Sequence, residues 1–370
     1  MLASQVKTDK CIKINAITYE NYATPLSMQT LYIPYEGESM VKPTEVLVQV
    51  KANSVNPVDC IFKNFSNNWF GPKVKIFGGD FAGVVVEAGS ETNYKPGDKI
   101  YGDALDMKRR GAFSDTILIE PSACLICEKM PEGMSFDEAA SLPCVSNTAF
   151  EGLQKYKGDL KGKNVLVLGA GTSVGFFSVQ FAKYYFGAAN GVATCSSKSS
   201  EKTMKAGADL TVDYHKGEES KLNALHEFVK ANGLFDIIID CVRDEFVMDN
   251  FPTLLKTESE NGVFAQVSGS YSLDYQNIRL YQLLPSLKKL KARLSHRFGF
   301  SKYPVVPIWT SKDPEYGQAV EKLWKDEKLY IVIETVMDAY TQFQEAFDRV
   351  ASCKAQGKIV INWEQPPTQN

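Results

Sequence analysis

The chain has 370 residues, more than one hydrophobic core usually spans, so two domains are expected. Its composition, 44% hydrophobic and 23% charged, is that of an ordinary globular protein, and 41 basic against 44 acidic residues leave a net charge of -3. That balance argues against a nucleic-acid partner gripped through a globally basic surface, and no apolar run reaches the roughly 18–20 residues of a membrane-spanning helix.

The first twenty residues hold no apolar block of signal-peptide length, which points to a cytoplasmic protein. From about residue 45 to 120 the text is strand-like. VLVQVKANSV, FAGVVVEAGS, DKIYGD and FSDTILIE alternate or run apolar, and Pro-Gly and Gly-Gly turns separate them. This is a β block with the rhythm of a barrel. After Pro143 the character changes. KNVLVL (Lys163–Leu168) is a short apolar strand without polar alternation, as a strand covered on both faces of a parallel sheet should be. It runs into Gly169–Gly175 and a helical stretch, FFSVQFAKYYFG. The strands GVATC, ADLTVDY, FDIIIDCV and GVFAQVS follow, most of them separated by helical segments such as Ser199–Ala206 and Lys221–Ala231. Strand–helix alternation at this spacing predicts a doubly wound α/β sheet. Tyr316–Lys325 and Thr341–Ser352 read as helices, and KIVINW (Lys358–Trp363) as a closing strand.

The central motif is Gly169-Ala170-Gly171-Thr172-Ser173-Val174-Gly175, between a buried strand and a helix. Glycines there let the backbone turn and approach a pyrophosphate, while the helix start offers free N–H groups and a positive dipole end. Two other readings use the same residues. Gly171–Gly175 also fits G-x-S-x-G, the nucleophile elbow of serine hydrolases, with Asp240 and His296 following in the order such a triad needs. A tight turn without ligand is the third. At the end of the second strand stand Cys195, Ser196, Ser197 and Lys198, with no carboxylate before Glu201. Hydroxyls and an ammonium suit an adenosine 2′-phosphate, where a carboxylate would repel it, so NADP(H) is expected over NAD(H). A plain polar loop is the alternative.

Metal chemistry finds little support. The chain has three histidines, His215, His226 and His296, and no converging Cys, His or carboxylate set of the kind catalytic zinc requires; no metal is expected. Cys124 and Cys127 form C-x-x-C without a second pair, and the eight cysteines are scattered, several of them inside apolar runs that suit reduced, buried thiols.

Taken together, these residues resemble the zinc-independent medium-chain dehydrogenase/reductases, in particular their quinone-oxidoreductase-like branch. The markers are Asn53–Asp59 (NSVNPVD), Gly78–Gly89 (GGDFAGVVVEAG), Lys95–Gly102 (KPGDKIYG), Gly111–Ile119 (GAFSDTILI), the segment Pro131–Leu153, the glycine turn, Lys205–Tyr214, Phe235–Val242 and GKIVINW. The likeness is nearest to fungal members, some of them associated with lipid droplets or mitochondria. It implies a GroES-like β-barrel catalytic domain, 1–142 plus 306–370, and an inserted Rossmann domain, 143–305. It places the zinc-binding Cys at Asn56 and the His-Glu pair at Gly79-Asp80, so two of the three ligands are missing. It assigns Thr148, Ser268 and Gly269 to the nicotinamide side, Gly171, Thr172, Ser173, Val174 and Gly175 to the pyrophosphate, and Ser196, Ser197, Lys198 and Tyr214 to the 2′-phosphate. Asn56 is expected to orient substrate through its amide, or else to be a turn residue satisfied by backbone. No tyrosine follows NPVD within Cys60–Phe70, which argues against the enoyl-thioester reductase activity of some members.

Ser286–Lys302 (SLKKLKARLSHRFGFSK) carries six Lys or Arg and no acid, with Leu283, Leu287, Leu290 and Leu294 at helical spacing. Two readings fit. The apolar stripe packs on its own domain under a solvated cationic face, or the helix lies on an anionic membrane or lipid-droplet surface. The expected protein is an NADPH-dependent reductase that passes hydride to a small-molecule quinone, activated alkene or carbonyl substrate. The alternative is a non-catalytic scaffold or redox sensor on the same fold. A homodimer is expected from the resemblance alone.

Overall fold

The computed structural model describes residues 10–66, 72–104, 111–267, 275, 278, 282 and 284–364. It divides into two compact units: Met1–Cys144, Asp274–Ile278 and Ile331–Asn370 form the first, Val145–Leu273 and Arg279–Tyr330 the second. The first unit opens with β1 (Cys11–Tyr19) and β2 (Ser27–Pro34), an antiparallel pair ahead of the block where strands are expected from sequence. Then come β3 (Val46–Val55), α1 (Pro57–Asn64), β4 (Lys75–Ile76), β5 (Asp80–Ala88), β6 (Lys99–Asp103), β7 (Thr116–Ile119), β8 (Ile126–Lys129) and α2 (Phe136–Ala140). The motif NPVD is explained by α1. Asn56 is its N-cap, Pro57 supplies a first-turn residue that needs no N–H partner, and the Asp59 carboxylate accepts from the Asn56 N–H at 2.7 Å.

Helix α3 (Pro143–Leu153) leads into the second unit. There β9 (Asn164–Leu168), α4 (Ser173–Gln180), β10 (Asn190–Cys195), α5 (Ser197–Lys205), β11 (Leu210–Asp213), α6 (Glu218–Asn232), β12 (Ile237–Asp240), α7 (Glu245–Asp249), α8 (Phe251–Leu254), β13 (Val263–Gln266), α9 (Leu287–Arg297), β14 (Val305–Pro307) and α10 (Pro314–Lys325) follow. Six parallel strands take the order β11-β10-β9-β12-β13-β14, the dinucleotide-binding arrangement with its switch point between β9 and β12. β9, β12 and β13 are buried at every position, which is why their sequences lack polar alternation.

The expected return to the first domain at residue 306 is corrected to Ile331. β14 pairs in parallel with β13 (Ala265 opposite Val306), and Pro307 is tolerated because the strand lies at the sheet edge. Tyr316 on α10 is buried within the same unit, with its hydroxyl 2.6 Å from Ser146 Oγ. The Gln180 amide then closes the unit, donating to Tyr330 O at 3.2 Å and accepting from Tyr330 N at 2.6 Å. The chain finishes in the first unit with β15 (Ile333–Asp338), α11 (Phe343–Ala351) and β16 (Lys358–Asn362), giving a seven-stranded sheet of order β15-β16-β3-β5-β6-β8 with β7 paired to β3. Its core includes Val48, Val50, Phe77, Phe81, Phe113, Ile359 and Trp363. The Trp363 indole donates to Asn53 Oδ1 at 2.6 Å, and Asn53 Nδ2 donates to Asp80 O and Ala112 O, so one buried amide ties β3 to β5, to the segment before β7 and to the residue after β16.

Candidate cofactor site and a buried polar cluster

In the second unit the glycine turn is fastened to the neighbouring strand. Gly169 N donates to Thr194 Oγ1 at 3.0 Å, Ala170 N donates to Thr194 O at 2.8 Å, and Gly169 takes a left-handed φ of 85°. Thr172 is the N-cap of α4: its hydroxyl donates to Gly169 O at 2.8 Å and accepts from Gly175 N at 3.1 Å. Thr172 thus brings its own cap to the turn. We expect Thr172→Ala to fold but to lose about 1 kcal/mol in urea unfolding, the usual worth of such a cap.

A Cβ on Gly175 would sit 2.4 Å from Gly169 O, so the helix can pass the strand only with glycine there. On Gly171 a Cβ would meet only Ser199, at 3.2 Å from Oγ. Gly171, Ser173 and Val174 are partly accessible, the N–H groups of Ser173 and Val174 have no carbonyl four residues back inside α4, and the first turn carries no acid. This is the chemistry a pyrophosphate requires.

Ser196 stands at the N-cap position of α5, and Ser197 and Lys198 are exposed in its first turn, again without an acid. Tyr214 follows β11 and is 45% exposed, its ring centroid 4.3 Å from that of His215. Because Cys195 on β10 pairs with Asp213 on β11, Ser196 and Tyr214 emerge side by side at the carboxyl ends of adjacent parallel strands. The four residues expected around a 2′-phosphate are therefore neighbours in space. Thr148 is half-buried on α3; Ser268 and Gly269 lie outside the described residues.

The hydrolase constellation does not assemble. Ser173 occupies the first turn of α4 and is not among the residues of positive φ. Asp240 accepts from Val242 N, Asp244 N and the Gln266 amide at 3.0–3.1 Å, while His296 Nε2 is 2.9 Å from Glu258.

The first unit holds a cluster that the sequence did not announce. Asp59, Asp80, Asp103, Asn56 and Lys358 are all buried. Asn56 Nδ2 donates to Asp80 Oδ2 at 2.7 Å and to Ser54 O at 3.3 Å, and Asn56 Oδ1 accepts from Lys358 Nζ at 2.5 Å. Lys358 Nζ stands 3.7 Å from Asp80 Oδ2, and Asp80 Oδ1 accepts from Cys144 N at 3.0 Å. Burial pushes the Asp80 carboxyl up to about 7 against the pull of Lys358, with Asp103 adding to the rise. Burial, then the charge of Asp80, holds Asp59 well above the usual carboxylate range. Asn56, expected to orient substrate, is 1% exposed with its amide engaged at both ends. It joins Asp80 to Lys358, and its role is one of position. Of the zinc-ligand positions, Asn56 and Asp80 are bonded to each other and Gly79 has no side chain, so the donor set does not fit zinc. Among the described residues no group of three or more His, Cys, Asp or Glu is placed to hold a metal ion.

Residues 42–138 match the model of the alcohol dehydrogenase GroES-like domain. Over 376 aligned residues the chain is 29% identical to Protein YIM1 of Saccharomyces cerevisiae, covering 96% of this chain and 99% of the relative. Among solved structures, the quinone oxidoreductase from Coxiella burnetii superposes with a TM-score of 0.70 at 22% identity, covering 95% of this chain and 99% of that one. A putative zinc-binding dehydrogenase from Sinorhizobium meliloti, solved bound to NADP, gives a TM-score of 0.70 at 19% identity, covering 95% and 99%. The fold and the likeness stated from sequence agree with these findings.

Proposed function

We propose that this chain, of medium-chain dehydrogenase/reductase fold with a GroES-like domain in its first unit, is an NADPH-dependent reductase whose substrate is a quinone or an activated alkene or carbonyl compound. The observation that carries the proposal is the meeting of an acid-free glycine turn with Ser196, Ser197, Lys198 and Tyr214 at the carboxyl ends of the parallel strands. The backbone of Gly171 to Gly175 would take the pyrophosphate. Lys198 and the two serine hydroxyls would take the 2′-phosphate, and Tyr214 offers a ring and a hydroxyl beside them. When bound, the dinucleotide supplies the hydride. The NADP held by the Sinorhizobium meliloti structure supports the cofactor class, and the likeness to the Coxiella burnetii quinone oxidoreductase supports the acceptor class.

Titration with NADPH and NADH, followed by protein fluorescence, tests the reading. NADPH is expected to bind the more tightly, and turnover is expected with a simple quinone. Lys198→Ala should weaken NADPH about fivefold, the ~1 kcal/mol an exposed charge pair is worth at most, and leave NADH unchanged. Equal losses for both dinucleotides would remove Lys198 from the 2′-phosphate site. Tight NADPH binding without turnover on any quinone or enone would favour a non-catalytic scaffold on the same fold.

A further inference from the structure

Helix α9 is inside out. Leu287, Leu290, Leu294 and Phe298 recur at intervals of three, four and four, one stripe of a helix, and they are 83%, 42%, 44% and 67% exposed. Phe300, just beyond, is 86% exposed, and the groove along this face is lined by these five side chains with Lys291 and Ser295. The opposite, polar face is turned inward. Lys289 is fully buried, and burial lowers its pKa against the pull of Asp240 and Glu245; Lys288 Nζ binds Asp249 at 2.6 Å and Glu245 O at 2.7 Å; Ser286 donates to Glu245; His296 meets Glu258. The reading in which the leucines pack on their own domain is corrected by these contacts. Acidic groups on α7 and at the end of β12 draw the cations inward, and the apolar stripe is left facing out. Leu283 lies outside the described residues.

An exposed stripe of this size marks a binding surface, and its charge selects the occupant. Ser286–Lys302 has no acid in a chain of net charge -3, and Lys291, Arg297 and Lys302 remain exposed beside the stripe. A second copy meeting this face across a two-fold axis would bring the same cations together. An anionic surface satisfies both features at once, taking the apolar side chains into its acyl boundary and the cations among its headgroups. We propose that the outward face of α9, with Leu287, Leu290, Leu294 and Phe298 flanked by Lys291 and Arg297, docks the protein on an anionic phospholipid surface. The proposal is independent of the cofactor and of turnover.

The full chain should co-sediment with phosphatidylcholine vesicles containing about a third phosphatidylserine at low salt, and much less with phosphatidylcholine alone or at high salt. Lys291→Gln combined with Arg297→Gln should lower the partition coefficient about fivefold per charge removed. Leu287→Ser combined with Leu294→Ser should lower it further at every lipid composition. Both variants change only exposed side chains, so their melting temperatures should match the parent. Three results overturn the proposal: no binding to anionic vesicles, binding that ignores lipid charge and the lysine and arginine changes, or a lipid-free dimer by light scattering that the leucine changes convert to monomer. The last would give the face to a second copy.

Discussion

Gly171→Ala is expected to fold like the parent and to lose NADPH. The two glycines that frame Thr172, Ser173 and Val174 have different reasons to be glycine, and the structure separates them. At 175 an added Cβ runs into Gly169 O at 2.4 Å and Ala170 Cα at 2.8 Å, backbone atoms fixed by their bonds to Thr194. Gly175→Ala should therefore push α4 off β9 and cost stability, with any loss of cofactor following from that. At 171 the only neighbour is the Ser199 side chain at 3.2 Å, which needs to give by a few tenths of an ångström, and the backbone lies outside the left-handed region. A methyl there is expected to crowd the turn proposed to take the pyrophosphate. Losing one charge-assisted hydrogen bond is worth about 1.5–3 kcal/mol, so the dissociation constant for NADPH should rise about 10- to 150-fold. The melting temperature without ligand should stay within a few degrees of the parent. Unchanged NADPH affinity in a folded Gly171→Ala protein would remove the pyrophosphate from this turn, and with it the observation that carries the reductase reading.

The parallel sheet was legible because its cause is local. A strand buried on both faces must be apolar throughout, and Val165–Leu168, Ile237–Ile239 and Val263–Ala265 are; the turn residues that punctuate them are equally local. β14 was missed because three residues ending in proline carry no periodicity, and only its pairing with β13 makes it a strand. The Asn56, Asp80 and Lys358 cluster was invisible for a related reason. Its bonds span 24 and 302 residues, and a lysine opening the text KIVINW gives no sign that it ends on an asparagine amide. α9 shows a third kind of limit. Helical periodicity states that one face is apolar but not which face turns inward, and here that was decided by Glu245, about forty residues earlier in the chain. Charge attraction and desolvation oppose each other at such a helix, and periodicity assigns no weight to either.

Lys358→Met should be the most destabilising single change in the first unit, and its cost should grow with pH. Among the described residues, the Lys358 ammonium pulls down the carboxyls of Asp59 and Asp80, and it is 4% exposed. Removing one partner of a buried charge pair costs about 3–5 kcal/mol, because the charge left behind keeps its desolvation penalty. The pH dependence follows from Asp80. Its carboxyl is raised from the ordinary 3.8 to about 7, mainly by burial, and Lys358 is the largest influence holding it down. Between those values the folded chain keeps a proton that the unfolded chain has lost. The stability from this group is therefore complete below about pH 4 and is lost as pH rises through 7. Without Lys358 the folded value rises further and the slope persists to higher pH. Urea unfolding of parent and variant should thus show a small gap near pH 5, where Asp80 is neutral in both, and a gap that widens as pH rises through 7. Adding Asp80→Asn to Lys358→Met should flatten the dependence, with the raised Asp59 carboxyl leaving a remnant, since the unpaired charge itself is then gone. A gap of equal size at pH 5 and pH 8 would assign the loss to packing of the lysine stem, and Lys358 would then be a spacer between β16 and Asn56 with no electrostatic task.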